Sequence, residues 1–250
     1  AKAKVWAAEH RLDAIFSTDG DGDRPLLADE QGNWLRGDLL CLLAAHYLQI
    51  NALAVPVSCN TAIESSGFFN TVQRTRIGSP YVIAAFDSLK EECGCYAGFE
   101  ANGGFLLGSD LVVGNAKLAA LPTRDAVLPA LAVLALAGQS AVSTLLDNLP
   151  PRFTASDRIT NFATAKSQQL LAVAAAAPDL FLQQLGLQGL QITAVNQTDG
   201  LRISLSNQTI IHLRPSGNAP ELRCYTEAGT EDEAMTLVQQ CLGKLASTAA

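Results

Sequence analysis

The sequence predicts an α/β protein, with a mixed-sheet three-layer α/β domain followed by a smaller α+β domain with an antiparallel sheet. Three observations support this class. Segments of strand and helix character alternate up to about residue 149, which is typical of an α/β layer. Several β-like segments then follow one another, with a hairpin turn at Asp199-Gly200. Hydrophobic residues make up 48% of the 250 residues, which is enough for one large or two modest cores.

The alternating elements of the first part follow from apolar runs and helical spacing. Runs of strand length or alternating pattern predict five strands: 12–18, one beginning at Pro25, 52–58, 71–77 and 95–100. Ser79 before Pro80 is typical of a capped helix start, and Gly138 of a helix end. The intervening helices are therefore expected at 1–11, 37–50, 61–70, from Ser79 onward, and at 122–138.

The pattern changes at LPPRFTASDR (149–158), which we expect to be a linker with Ser156 or Asp157 as a helix cap. A helix is expected at 163–176 and a final helix at 231–245. Between them lie four β-like segments: 190–196, 201–207, 209–215 and 221–228. This order predicts a separate small α+β domain.

Composition excludes some classes of function. A net charge of −7 argues against a nucleic-acid surface, which is basic. No targeting signal is expected at the start, and the longest apolar stretch, 126–137, is too short to span a bilayer. Six cysteines without a disulfide pattern indicate a reducing, cytoplasmic setting. His46 and His212, in an apolar helix and a strand, are expected to be structural.

The segment TDGDGDRP (18–25, the acidic loop) places Asp19, Asp21 and Asp23 so close that their charges repel unless a cation neutralises them. Hard divalent cations prefer carboxylate oxygens. An EF-hand is one alternative, but its sixth position requires glycine and here holds Arg24. A solvated acidic turn is another. We favour a divalent-metal loop whose open coordination positions, beside an arginine, suit a phosphoryl group.

The segment AGFEANGG (97–104, the Glu-Asn loop) carries Glu100 and Asn102 two residues apart. In extended geometry the two side chains would lie on one side, where a carboxylate and an amide suit adjacent sugar hydroxyls. An ordinary Asn-Gly hairpin turn is the alternative.

The segment HLRPSGNAPELRCY (212–225, the Arg-Ser loop) has a Ser-Gly-Asn turn flanked by two arginines. Backbone N–H groups of such a turn can form an anion site, and arginines add bidentate donors. This combination predicts phosphate binding, with a polar turn bearing surface arginines as the alternative. The candidate residues are Arg214, Ser216, Gly217, Asn218 and Arg223.

Together the three loops resemble those of the α-D-phosphohexomutase family, which interconverts sugar 1-phosphates and 6-phosphates. In that family a DGDGDR loop binds magnesium, a GExSG-type loop contacts the sugar hydroxyls, and an RxSGTxP-type loop binds the phosphate. The chain departs from these patterns at Asn102, where serine is usual, and at Asn218 and Ala219, where threonine and glutamate are commoner. RTRIGSPYV (74–82) resembles a segment that often carries a lysine near the active site, with Arg76 in that position.

The resemblance implies a role for each loop. Asp19, Asp21 and Asp23 would hold Mg²⁺, and Arg24 would orient a phosphate as the catalytic group of this chain. Residues of the other loops and Arg76 would bind the substrate. These substrate-binding residues are Glu100, Asn102, Arg76, Arg214, Ser216, Gly217, Asn218 and Arg223.

The resemblance also implies the domain organisation. Residues 1–33 would end the second domain, 34–149 would form the third, and 150–250 the fourth. The first domain, which carries a phosphoserine in this family, would be absent, since TASD (154–157) lacks the family's following Asn-Pro. We therefore expect a fragment that is inactive alone and acts with the missing N-terminal domains on hexose phosphate and hexose bisphosphate. No nucleic-acid or membrane partner is expected.

The expected reaction is conversion of mannose 6-phosphate to mannose 1-phosphate through a phosphoserine and a sugar bisphosphate. Phosphoglucosamine mutase and phosphoglucomutase activities are alternatives. A non-catalytic module that binds sugar phosphate or calcium, and a phosphatase with an aspartyl nucleophile, also remain open.

Overall fold

A computed structural model describes residues 2–249, and these form two compact units that divide between Pro150 and Pro151. Ala1 and Ala250, which belong to the predicted domain ranges, lie outside the described residues. The separate standing of residues 1–33 within the first unit stays a prediction.

The first unit contains six α-helices among its described residues, together with a 3-10 helix at Val142–Leu145. The helices are α1 Lys2–His10, α2 Gly37–Tyr47, α3 Ala62–Ser65, α4 Ser79–Ala84, α5 Phe86–Glu92 and α6 Val127–Ala137. The strands are β1 Ile15–Thr18, β2 Pro25–Ala28, β3 Ala52–Pro56, β4 Thr71–Thr75, β5 Tyr96–Phe99, β6 Phe105–Leu107, β7 Leu111–Val113, β8 Ala116–Leu118 and β9 Leu121–Asp125.

The main sheet of the first unit has the order β4-β3-β5-β6-β9. Strand β3 is parallel to β4 and β5, whereas β5, β6 and β9 pair antiparallel. Leu53 and Val55 of β3 pack into the core with α2 and α6, and the alternate residues Ala52 and Ala54 pack with α4 and α5. Helices therefore cover both faces, which confirms the predicted three-layer domain with a mixed sheet.

The hairpin of β1 and β2 presents the acidic loop. Its register pairs Thr18 with Pro25, so the loop occupies the hairpin tip. Leu27 of β2 is fully buried in the same core as α2 and α6. This burial anchors the hairpin to the α/β unit.

The second unit places helices α7 Thr164–Ala176, α8 Pro178–Gln184 and α9 Glu231–Ala249 against one sheet. The sheet has the order β10-β14-β13-β12-β11, and every pair is antiparallel. Inward residues such as Ile203 alternate with outward polar residues such as Arg202, as a sheet covered on one face requires. This confirms the predicted α+β domain. Its strands are β10 Phe153–Thr160, β11 Ile192–Asn196, β12 Leu201–Leu205, β13 Ile210–Pro215 and β14 Glu221–Ala228.

Several local predictions are wrong. The helix expected at 61–70 spans only Ala62–Ser65. The expected linker contains strand β10, in which Ser156 pairs with Tyr225, so the TASD segment is a strand and not a helix cap. The helix expected at 122–138 begins only at Val127, because Asp125 accepts hydrogen bonds from the N–H groups of Val127 and Leu128 and so ends strand β9. Ser79 is the first helical residue rather than the cap, which is Gly78 with φ 130°.

The helices that the structure describes do not include a membrane-spanning segment. Within residues 2–249, none is both long and apolar enough to traverse a bilayer.

Candidate active site

The acidic loop is closed by its own backbone. The N–H of Asp19 donates to the carbonyl of Arg24 at 3.3 Å, and the N–H of Arg24 donates to Oδ1 of Asp19 at 3.3 Å. Gly22 has φ 75°, a conformation that glycine adopts readily. The carboxylates of Asp19, Asp21 and Asp23 each offer an oxygen within 4.8 Å of the others.

These carboxylates fit a small hard cation. Oδ1 of Asp23 is buried and receives no hydrogen bond from the described residues, with Nε of Arg24 at 3.8 Å. A bound cation would satisfy this oxygen and offset the repulsion among the three charges. The loop joins two strands rather than two helices, which differs from an EF-hand.

Arg24 lies at the edge of the same loop. Its Nε is 3.5 Å from Oδ2 of Asp19, and its side chain is 41% exposed. The buried Nε is therefore held near the aspartates, while the side chain as a whole remains partly exposed.

The Glu-Asn loop joins β5 to β6 in a tight turn, so the extended geometry expected here is wrong. The N–H of Gly103 donates to the carbonyl of Glu100 at 2.9 Å, and Oδ1 of Asn102 accepts the N–H of Gly104 at 3.1 Å. Glu100 is buried, whereas Asn102 is exposed. The backbone is the Asn-Gly turn that the sequence left open, and it still presents a carboxylate and an amide.

Close contacts hold the Glu-Asn loop against the base of the acidic loop and the start of α2. A Cβ on Gly103 would lie 2.9 Å from Pro25, and one on Gly37 would lie 2.4 Å from the carbonyl carbon of Asn102. The thiol of Cys41 donates to the carbonyl of Gly103 at 3.1 Å. Burial raises the pKa of the Cys41 thiol, so it stays a neutral donor. Packing thus fixes the two loops side by side.

Arg124, at the end of β9, links the acidic loop and the Glu-Asn loop, and sequence reasoning missed it. Its Nη2 is 2.6 Å from Oδ2 of Asp23, and its Nη1 is 3.8 Å from Oε2 of Glu100. Its partners Asp23 and Glu100 lie about 100 and 24 residues earlier in the chain, so no local sequence pattern identifies it.

Arg76 follows strand β4 and is exposed. Its guanidinium carbon lies 5.0 Å from the centroid of the Tyr81 ring, in the range of a cation–π contact. The neighbouring Arg74 is structural, since it pairs with Glu64 at 2.6 Å and donates to the carbonyl of Cys59 at 2.7 Å.

In the second unit the Arg-Ser loop joins β13 to β14. The N–H of Ser216 donates to the carbonyl of Glu221 at 2.8 Å, and the N–H of Asn218 donates to Oγ of Ser216 at 3.4 Å. Ser216 is buried, whereas Gly217 and Asn218 are exposed. The turn therefore has a fixed base and an accessible tip.

Three arginines stand side by side on the open face of this sheet. The register pairs Arg214 with Arg223, and Arg223 with Arg158, which sequence reasoning missed. Glu221 lies 3.4 Å from both Arg158 and Arg223, while Nε of Arg214 lies 3.4 Å from Asp199. These acids offset part of the repulsion between neighbouring like charges. A cavity of about 350 Å³ opens beside the row, lined by Ser156, Asp157, Arg158, Arg223 and Tyr225.

His212 is a buried residue of strand β13 in the same sheet. Its Nε2–H donates to the carbonyl of Asp199 at 2.6 Å, and its buried Nδ1 has no partner among the described residues. Burial, together with Arg202 and Arg214, lowers the pKa of His212 to about 4 against the hydrogen bond to Asp199. The neutral, buried imidazole agrees with the structural role expected for it.

Comparison with known families agrees with the folds of the two units. The model described as "Phosphoglucomutase/phosphomannomutase, alpha/beta/alpha domain III" matches residues 36–153. The model described as "Phosphoglucomutase/phosphomannomutase, C-terminal domain" matches residues 159–244. The chain therefore belongs to the phosphoglucomutase/phosphomannomutase family, which confirms the resemblance seen in its loops.

Individual relatives sharpen this assignment. The chain is 52% identical to a phosphomannomutase of Salmonella muenchen over 98% of its own length and 52% of that protein. It is 43% identical to a phosphomannomutase of Sinorhizobium fredii over 98% of its length and 52% of that protein. The chain thus spans about half the length of the curated relatives it matches. Phosphomannomutases are isomerases.

A solved structure shows the same fold at low sequence identity. N-acetylphosphoglucosamine mutase of Aspergillus fumigatus, in complex with GlcNAc-6P and magnesium, superposes with a TM-score of 0.63 at 17% identity. The match covers 97% of this chain and 56% of the fungal one.

Proposed function

We propose that this chain is the C-terminal part of a magnesium-dependent phosphohexomutase that converts mannose 6-phosphate to mannose 1-phosphate. The single observation that carries the proposal is the contact set around Asp23. Its carboxylate lies with two others within 4.8 Å and reaches Glu100 of the Glu-Asn loop through Arg124. The 52% identity to a phosphomannomutase supports mannose as the sugar.

In the first unit, Asp19, Asp21 and Asp23 would hold Mg²⁺. When bound, this ion offsets negative charge on a transferring phosphoryl group. Arg24, whose side chain is partly exposed, would orient that phosphoryl group by charge-assisted hydrogen bonds. Glu100 would accept hydrogen bonds from a sugar hydroxyl, since its burial next to Arg124 favours one fixed carboxylate orientation.

Other substrate contacts in the first unit are assigned by position. Asn102, exposed at the tip of the Glu-Asn loop, would donate through its amide to a neighbouring hydroxyl. Arg76 is exposed beside Tyr81 and would contact the phosphorylated ligand.

In the second unit the Arg-Ser loop would hold the phosphate that does not react. The exposed residues Gly217 and Asn218 form the tip, and Ser216 fixes its base through the hydrogen bond from its N–H to the carbonyl of Glu221. Arg214 and Arg223, paired across two strands, add guanidinium donors in register. This arrangement would let a chain with a net charge of −7 bind an anion.

The phosphoryl donor in this proposal is a phosphoserine of the family's first domain, and the intermediate is a hexose bisphosphate. Ser156 is not a candidate donor, because it lies within β10 in register with Tyr225. The chain alone is therefore expected to bind sugar phosphate without turning it over. Six free cysteines are consistent with a proposed cytoplasmic location.

Titration calorimetry tests the proposal on the 250-residue chain. Mannose 6-phosphate should bind with a millimolar or tighter Kd, and Mg²⁺ should bind in a separate titration. Asp21→Asn should weaken Mg²⁺ binding about tenfold or more, whereas Asp87→Asn, an exposed aspartate on α5, should not. A folded chain that gives no heat with either ligand would contradict the proposal.

Substrate preference and turnover need two further measurements. Competition among mannose, glucose and glucosamine 6-phosphates distinguishes the mannose assignment from the glucose and glucosamine alternatives. Phosphorus NMR of mannose 6-phosphate with the chain should show no 1-phosphate. Addition of the part of the Salmonella relative that this chain does not match tests whether turnover then begins.

A further inference from the structure

Arg124 occupies a position between two carboxylates that the proposed function assigns to different ligands. Its Nη2 is 2.6 Å from Oδ2 of Asp23, a close ion pair. Its Nη1 is 3.8 Å from Oε2 of Glu100, which is close enough for ionic attraction but too long for a hydrogen bond. The two carboxylates therefore compete for one guanidinium, and Asp23 holds it more closely.

The stem of Arg124 is fixed by the Glu-Asn loop. A Cβ on Gly104 would lie 2.8 Å from Cδ of Arg124, so only glycine leaves room for the side chain there. The side chain is 30% exposed, and the Glu100 side chain is 10% exposed. A small rotation of the guanidinium end is therefore the movement that the packing allows.

The two carboxylate oxygens of Asp23 lie in different surroundings. Oδ2 forms the ion pair with Arg124, whereas buried Oδ1 receives no hydrogen bond from the described residues. The Asp23 carboxylate also belongs to the cluster with Asp19 and Asp21. A cation bound by the cluster would withdraw negative charge from Asp23 and repel Arg124. The ionic attraction between Arg124 and Asp23 would then weaken, while the attraction to Glu100 would not.

We propose that Arg124 is a positioning residue that couples the cation site to the Glu-Asn loop. With the aspartates free of cation, it binds Asp23 and leaves Glu100 at a distance. With a cation bound, it turns toward Glu100 and fixes that carboxylate for a sugar hydroxyl. This inference rests on the proposed function and adds an order of binding. The cation binds first, and Glu100 is then fixed in position for the sugar hydroxyl.

A double-mutant cycle on Mg²⁺ affinity tests the coupling without any sugar or turnover. Calorimetry is done on the 250-residue chain as wild type, Arg124→Gln, Glu100→Gln and the double variant. Arg124→Gln removes a competing positive charge and should tighten Mg²⁺ binding roughly tenfold. Glu100→Gln removes the alternative partner of Arg124. It should weaken Mg²⁺ binding about fivefold when made in the wild type, but less than about twofold when made in the Arg124→Gln variant.

Arg124→Lys provides the conservative control. An ammonium keeps the charge but is a single point donor, so it cannot serve two carboxylates as a guanidinium does. Its Mg²⁺ affinity should stay within about threefold of the wild type, with the effect of Glu100→Gln reduced. Circular dichroism and melting temperature confirm that each variant is folded.

The outcomes separate the inference from the proposed function. A wild-type chain that binds no Mg²⁺ would contradict both. Mg²⁺ binding that is unchanged by Arg124→Gln, or effects of the two substitutions that simply add, would overturn the inference and leave the proposed metal site intact.

Discussion

The pH dependence of the second unit should be controlled by His212. This imidazole is almost fully buried on β13 and donates to the carbonyl of Asp199 at 2.6 Å. Protonation would place a second N–H at Nδ1, where no described residue accepts it, and would add a charge near Arg202 and Arg214. The folded state therefore binds a proton less readily than the unfolded state does.

The size of the effect follows from the pKa of His212, which falls from 6.5 to about 4 on folding. Well above pH 6.5 both states are neutral and the group contributes no pH dependence. As the pH falls below 6.5, the unfolded state takes up the proton while the folded state does not, so stability is lost down to pH 4. By pH 4.5 the free energy of unfolding should have decreased by about 2.5 kcal/mol from this group alone.

Urea titrations from pH 7.5 to 4.5, followed by the NMR signals of β13 amides, measure this quantity within the second unit. His212→Gln keeps a donor for the Asp199 carbonyl but cannot titrate, so the wild type should lose about 2.5 kcal/mol more than the variant. Acidic groups contribute equally to both proteins and cancel. His10→Gln, an exposed histidine at the end of α1, is the matched control. A difference below about 0.5 kcal/mol would refute the reasoning.

Three more substitutions test packing, burial and ligand contacts. Gly98→Ala places a Cβ 2.3 Å from Val82 and should destabilise the first unit by about 2 kcal/mol or more. The control is Gly94→Ala, whose Cβ meets no atom within 4 Å, and thermal melts compare the two variants. Arg152→Ala leaves Glu227 buried without its 2.7 Å partner and should lower the urea stability of the second unit by about 3 kcal/mol. Arg214→Ala should weaken mannose 6-phosphate binding at least tenfold by calorimetry, and an unchanged Kd would contradict the phosphate assignment.

Sequence patterns predicted most strands and the positions of the three loops because those signals are local. The buried run at 52–56 and the alternation at 201–205 each reflect what one strand contacts. Turn chemistry at Asp199-Gly200 and at Gly22 likewise depends on neighbouring residues, and both glycines have positive φ. The metal candidates were recognisable for the same reason, since three aspartates within five residues need a common explanation.

Arg124 and β10 were missed because their roles depend on partners distant in the chain. The role of Arg124 depends on the sheet order, which pairs β9 with β6. This pairing brings Arg124 near Asp23, which lies about 100 residues earlier in the chain. Strand β10 reads as a linker because its outward residues are polar, and it becomes a strand only through pairing with β14. Edge strands and long-range ion pairs carry weak local signals.

The glycines at 37, 103 and 104 let backbone and side chains approach more closely than any larger residue would permit. Because this packing sets the spacing between the carboxylates, the geometry that a ligand meets is established when the chain folds rather than when the ligand arrives. Affinity then gains from preorganisation. A core substitution that loosens the packing of Leu27 would consequently weaken ligand binding, although it changes no residue that contacts the ligand.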